Sequence, residues 1–421
     1  MIAYFGSWRR QHIHIIGPPG CFRNWGSLGP EWISSSFRQS VEFPSAQVNN
    51  DNVDRIEQFC VHITATQFMV PPHSGIFTGF SVLEILFYLE VFKLLQTLYR
   101  HAQWLKWPAT PGASADLQRW TVTEPYLDIR GGLLEGPFYT AERNELRFVD
   151  LDYEKVYFLD LAKGPSSMRV LHTESPIGVT ADMIDDTGNN TQIVVAAKHG
   201  FATMDYQSGA LTYIHRTHIS EEQAYRMRFN DGAVDNQGRF WAGSSIDHKY
   251  VQGKHAGTLY RLDSDMSLHE MVHQITTPNG MGWNSADDTM YITDSPHGKI
   301  YAYEFDARTG SISNKRDFLT LEANYGEPDG FAMDVEGNLW VAVWRGSRII
   351  RVNPKGEITG EILFPTRFVT CPEFVGSELI VMTAMEQEPY KYPESARCGG
   401  KVYKVDVGVR GKPRNAFRRR S

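Results

Sequence analysis

From residue 118 onward the chain repeats itself, and the period limits what it can fold into. Six alternating runs, NELRFVD, TQIVVAA, GRFWAGS, DTMYITDS, GNLWVAVW and SELIVMTA, set apolar anchors at Leu146, Ile193, Phe240, Met290, Leu339 and Leu379, at intervals of 47, 47, 50, 49 and 40 residues. Each is preceded by a Gly, Asn or Asp turn and followed by a second alternating run: EKVYFLDL, GFATMDY, GTLYRLD, GKIYAYEFD, SRIIRVNP and GKVYKVDV. Period-two alternation between turn residues is a strand signal. A unit of about 40 to 50 residues, with two strong strands and room for two weaker ones, cannot bury both faces of its small sheet unless neighbours stack around an axis. The spacing therefore predicts an all-β fold, a six-bladed β-propeller over residues 118–409, ahead of a β-sandwich with fortuitous spacing. The segment RWTVTEPYL just before the first unit is expected to add an outer strand to the last blade and close the ring.

Composition narrows the partner. The 421 residues are 42% hydrophobic and 22% charged, enough for a sizeable core. A net charge of −7 disfavours a protein that must displace counterions from nucleic acid, and points to a small molecule. Four cysteines without a CxxC pair suit a reducing compartment. Arg9 and Arg10 interrupt any secretory signal, so a cytoplasmic location is expected and Asn189-Asn190-Thr191 reads as a polar turn.

The flanks read differently from the repeat. Residues 1–117 form an irregular or partly helical extension with a helix expected near 80–100. The apolar stretch 75–100 is interrupted by Glu84, Glu90 and Lys93, so it is expected to pack on protein or lie at an interface rather than span a membrane. Residues 410–421 carry Arg410, Lys412, Arg414, Arg418, Arg419 and Arg420 after the last acid, Asp406, and read as a solvated, disordered tail giving nothing to the core or channel.

Counting back from the anchors locates a candidate site. Glu135 lies 11 residues before Leu146, Asn230 10 before Phe240, Asn279 11 before Met290, and Asp329 10 before Leu339. Equivalent residues ahead of each blade's anchor converge near one mouth of the central channel, and most have glycine nearby, which permits close backbone approach. Asp182 is a weaker candidate in the second unit, and the sixth offers only Phe368 or Val369 at that count. Two carboxylates and two amides without Cys or His suit a hard divalent cation: Ca²⁺ first, then Mg²⁺ or Mn²⁺, with Zn²⁺ behind them. Taken one at a time, Asn, Asp and Gly are also ordinary turn residues.

The stretches LLEGPFY, RFNDGAVDNQGRFWAGS, TTPNGMGW, MYITDS and EPDGFAMDVEGNLWVAVW resemble those of the senescence-marker-protein, regucalcin and gluconolactonase family over residues 120–406. That resemblance implies a six-bladed propeller with an axial divalent metal held by Glu135, Asn279 and Asp329. It also places Asn230 at metal and substrate, puts Arg228 on substrate, and gives Asp329 the role of catalytic base. It implies hydrolysis of sugar lactones or related esters; the alternative is a non-catalytic calcium-binding or interaction propeller. Animal members carry a substrate-touching Glu where this chain has the vicinity of His248, a departure that bears on sugar specificity.

Other motifs are weaker. His269-Glu270-Met271-Val272-His273 spells HExxH, but on a strand the two histidines would lie about 13 Å apart, too far for one zinc. No Gly-x-Ser-x-Gly elbow or GxGxxG loop occurs. His12, His14, His215 and His218 have no Cys or carboxylate partner in obvious reach, and Trp241, Trp340 and Trp344 are expected to fill the core between blades.

Overall fold

The computed structural model describes residues 117–185, 191–217, 220–250, 253 and 255–420. All but the last residue of the expected extension 1–117, with its helix near 80–100, lies outside the described residues, as do His12, His14, His218, Asn189 and Asn190.

Strand β1 (Gln118–Thr121) precedes six small antiparallel sheets. Blade one comprises β2 (Leu134–Thr140), β3 (Glu145–Asp150), β4 (Lys155–Asp160) and β5 (Arg169–His172). Blade two comprises β6 (Ile177–Asp185), β7 (Gln192–Ala197), β8 (Gly200–Asp205) and β9 (Leu211–Arg216). The short helix α1 (Glu221–Arg226), its first turn capped by Ser220, leads into blade three: β10 (Met227–Val234), β11 (Phe240–Ile246), β12 (Gly257–Leu262) and β13 (Leu268–Ile275). Blade four holds β14 (Pro278–Trp283), β15 (Thr289–Asp294), β16 (Lys299–Asp306) and β17 (Ser311–Thr320). Blade five holds β18 (Glu327–Met333), β19 (Leu339–Trp344), β20 (Arg348–Val352) and β21 (Ile358–Leu363). Blade six holds β22 (Val369–Val375), β23 (Glu378–Thr383) and, after helix α2 (Pro393–Cys398), β24 (Val402–Asp406).

The paired runs of the repeat are thus the second and third strands of each blade. The first strands β2, β6, β10, β14, β18 and β22 touch one another in cyclic order, β22 closing on β2, and so line the axis of a six-bladed propeller. An apolar cluster fills each blade interface. Trp241 packs with Trp283 between blades three and four, and Trp340 with Phe374 and Trp120 between blades five and six. Both tryptophans are fully buried and donate Nε1–H to a carboxylate of the same turn motif, Asp235 and Asp334, at 3.0 Å. Trp344 is half-buried against Phe368.

Three sequence expectations need correction. The segment RWTVTEPYL divides between two blades. Residues 118–121 run parallel to β21 as a fifth strand of blade five, and Tyr126 and Leu127 reach blade six through backbone hydrogen bonds to Val402. Asp182 does not join the axial set. It pairs directly with Ile193 and binds Arg147, Arg143 and Thr140, because the longer connection after β6 displaces the count within that blade.

The basic tail is not a solvated appendage. β25 (Phe417–Arg419) pairs in parallel with the axial strand β6, opposite Met183–Asp185, and Phe417 is fully buried in the core between blades two and three. Charge dominated the sequence reading, whereas the burial of one phenylalanine and a series of backbone hydrogen bonds order the segment.

Candidate metal and substrate site

Every axial strand carries a β-bulge in its first half: between Glu135 and Phe138, Ile177 and Val179, Phe229 and Gly232, Pro278 and Met281, Pro328 and Phe331, and Val369 and Pro372. A bulge interrupts the ladder and re-aims the side chains at it. Glu135, Asn230, Asn279 and Asp329 sit at or within these bulges, all buried. Close approach of the strands requires glycine. A Cβ on Gly280 would lie 2.6 Å from the Phe331 amide nitrogen and 3.0 Å from the Asp329 carbonyl oxygen. The equivalent residue in blade two is Gly178, whose Cβ would lie 2.3 Å from the Asn230 carbonyl oxygen. In blade six the bulge holds Thr370 and Cys371, two residues beyond the place reached by counting, since the turn after β22 is tight.

The electrostatics of the set are those of crowded acids. Burial, reinforced by the charges of Asp329 and Asp231, holds the Glu135 carboxyl well above the ordinary range. Burial and the neighbouring Asp231 and Glu327 do the same to Asp329, against which the Asn279 side chain and the Gly330 amide favour the ionised form. Asp231, one residue beyond Asn230 and missed by the register count, is pushed by burial up to about 6. Two buried oxygens, Asn279 Oδ1 and Asp329 Oδ1, accept no hydrogen bond. Buried acceptors are normally paired, so these two oxygens on adjacent blades, beside crowded carboxylates, remain available to a ligand. Asn230 differs: its Oδ1 accepts from Arg228 Nη1 at 2.7 Å and its amide donates to the Pro278 carbonyl at 2.9 Å. Among the described residues no group of three or more His, Cys, Asp or Glu is placed to hold a metal, so the set combines two carboxylates with amide oxygens.

Arg228 is buried, and its Nε lies 3.8 Å from Asp247. His248 bridges two carboxylates, with Nδ1 3.3 Å from Asp247 and Nε2 3.2 Å from Asp152 of blade one. Burial alone would raise Asp152, but the His248 hydrogen bond and the charges of His248 and Lys249 outweigh it and lower the carboxyl. A polar chain thus runs from Asn230 through Arg228, Asp247 and His248 to Asp152. Sequence reasoning marked His248 only as a departure and gave no sign of Asp152, whose partner is 96 residues away.

His269 and His273 lie on the outer strand β13. His269 Nε2 is 3.3 Å from Asp263 and His273 Nε2 3.6 Å from Glu270, and the two share no site.

Comparison with known proteins agrees with this architecture. Residues 133–385 match the family described as SMP-30/Gluconolactonase/LRE-like region. The chain is 31% identical to regucalcin of Xenopus laevis over 292 residues, covering 67% of this chain and 94% of that protein. It is also 31% identical over 278 residues to Bacillus subtilis YvrE, whose name provisionally assigns it sugar lactone lactonase activity, covering 64% of this chain and 90% of that protein. The solved structure of a calcium-binding regucalcin of Agrobacterium tumefaciens superposes with a TM-score of 0.64 at 22% identity, covering 72% of this chain and 99% of that one. The chain belongs to the SMP-30/gluconolactonase/LRE-like family.

Proposed function

We propose that this protein is a divalent-cation-dependent hydrolase that opens sugar lactones or related esters at the end of the channel where the axial strands begin. The observation that carries the reading is the pair of orphaned buried oxygens, Asn279 Oδ1 and Asp329 Oδ1, beside the raised carboxyl of Glu135. Family membership supports the lactonase class, and the calcium named for the Agrobacterium relative supports the ion. Glu135, Asn279 and Asp329 would hold the cation, with Asn230 completing the set through the lone pair that Arg228 leaves free. When bound, the cation supplies Lewis-acid polarisation of the carbonyl and a lowered pKa for water.

The chain's own groups account for the rest. Asp329 takes the proton of the attacking water as the new C–O bond forms, through the carboxylate oxygen not engaged by the cation. The same proton then goes to the ring oxygen as the lactone C–O bond breaks, giving the hydroxy acid. Arg228, fixed by Asn230 and Asp247, presents guanidinium donors to substrate oxygens.

The experiment is a lactone and ester panel assayed after chelation and after reloading with Ca²⁺, Mg²⁺, Mn²⁺ or Zn²⁺. Hydrolysis lost on chelation and restored by one of these ions is the expected result. Stoichiometric cation binding without turnover of any member would leave a calcium-binding propeller instead.

A further inference from the structure

The axial channel has a second end, where the first strands of the blades terminate, and the C-terminal segment lies across it. After β24 the chain visits the blades in descending order. The Gly411 amide donates to Gly376 O of blade six at 3.0 Å. Arg410 O accepts from the Val335 amide of blade five at 2.9 Å, and the Lys412 amide donates to Met333 O at 2.8 Å. Lys412 Nζ then donates to the Trp283 and Asn284 carbonyls of blade four, at 2.8 and 3.0 Å. Asn415 donates to Val234 O of blade three at 3.1 Å, and the Arg418 amide to Gly238 O at 3.0 Å. β25 finally extends blade two on its axial edge.

In mid-course Arg414 Nε donates to Glu373 Oε2 at 2.6 Å, and the Glu373 carboxylate is buried. Arg414 also lines a small cavity with Asp231, Gly136 and Cys371, immediately beneath the axial set. Blade six has three strands, and the N-terminal segment flanks it through the Leu127–Val402 bridge, backbone hydrogen bonds from Tyr126 to Val402 and from Gly131 to Gly400, and the Asp128–Lys401 ion pair. Among the described residues these edge contacts add no fourth strand to blade six.

We propose that residues 410–420 are a latch: they seal the far mouth of the channel and tie five of the six blades into the register that brings the axial side chains together. Arg414 is its central fastening and Phe417 its terminal one. The inference rests on these contacts and not on the hydrolase reading, so the two stand or fall on different measurements.

Cys371 reports on the seal, because its thiol is buried on the cavity side of Arg414. The test is the rate of iodoacetamide alkylation at Cys371, read by peptide mapping, in the full chain and in a chain truncated after Val409. Melting temperature is followed in parallel. The latch requires alkylation to accelerate at least about tenfold and the melting temperature to fall by at least about 5 °C while the strand signal in circular dichroism persists. A synthetic peptide of residues 410–421 added in excess should restore protection. If the truncated chain does not fold, Arg414→Met and Phe417→Ala in the full chain should each accelerate alkylation at least about threefold. Unchanged alkylation and melting in the truncated chain, or unchanged alkylation in both point variants, would overturn the latch.

Discussion

The two ends of the channel obey opposite rules. At the far end the buried carboxylates are paired: Glu373 with Arg414, Asp235 with Trp241 and Arg239, Asp334 with Trp340 and Asn338. At the near end Asn279 and Asp329 each keep a buried oxygen without a partner, and Glu135 receives only a long contact of 3.4 Å from the next amide. Paired groups stabilise a fold, whereas unpaired ones cost it stability until something binds. The contrast within one channel therefore distinguishes the two sets of carboxylates more sharply than burial does, since both are buried.

The comparison can be broken first at the near end. Glu135→Gln or Asp329→Asn should lower lactone turnover by at least about a hundredfold with the fold intact, since each removes a charge from the cation and the second also removes the base. Turnover unchanged in both variants at saturating cation would defeat the assignment. At the far end the outcome should invert. Asp235→Ala strands the Trp241 and Arg239 donors and should cost about 2–3 kcal/mol of stability in denaturant unfolding, with kcat unchanged. A variant equally stable but inactive would erase the distinction between the ends.

A smaller effect is expected at the link between axis and mouth. Arg228→Lys keeps the charge but loses the fork that spans Asn230 and Asp247, so kcat/KM should drop by about tenfold. An unaltered kcat/KM would remove Arg228 from the substrate.

Acidity sharpens the contrast further. Glu135, Asp329 and Asp231 hold their protons more tightly folded than unfolded, Asp231 up to about 6. Over a window from about pH 4.5 to 6 and above, the folded cation-free protein therefore carries more protons than the unfolded chain, and its stability falls as pH rises. Asp152 and Asp182 are lowered instead and contribute in the opposite sense, in a window below the ordinary carboxylate range. Saturating Ca²⁺ should flatten or reverse the slope in urea midpoints measured from pH 4.5 to 7. Parallel slopes with and without the ion would contradict this. The smallest effect belongs to the HExxH pattern: His269→Ala and His273→Ala should leave turnover within about twofold, a result that stoichiometric zinc lost together with activity would overturn.

What was legible in the sequence follows the local order of the chain. The blades were readable because strands two and three of each sheet are neighbours in sequence and alternate cleanly. The axial residues were readable only where the turn between the first and second strands keeps its length, as in blades one, three, four and five. A longer connection in blade two put Asp182 in place of Gly178, and a tighter turn in blade six hid Thr370 and Cys371. The latch was illegible for a different reason. Its fastenings are distant in sequence, Arg414 to Glu373 across 41 residues and Phe417 to a core between blades two and three. A cluster of basic residues carries no local sign of such partners. Phe417, a large apolar side chain among charges, was the one available signal.

The most direct test of the near-end assignment is calorimetric titration of Ca²⁺ into the chelator-treated full chain, beside Glu135→Gln and Asp329→Asn. The account predicts one ion per chain in the native protein, bound with release of protons below about pH 6, and at least about a hundredfold weaker binding in each variant. Binding of equal strength and stoichiometry in all three proteins would place the ion elsewhere and contradict the account.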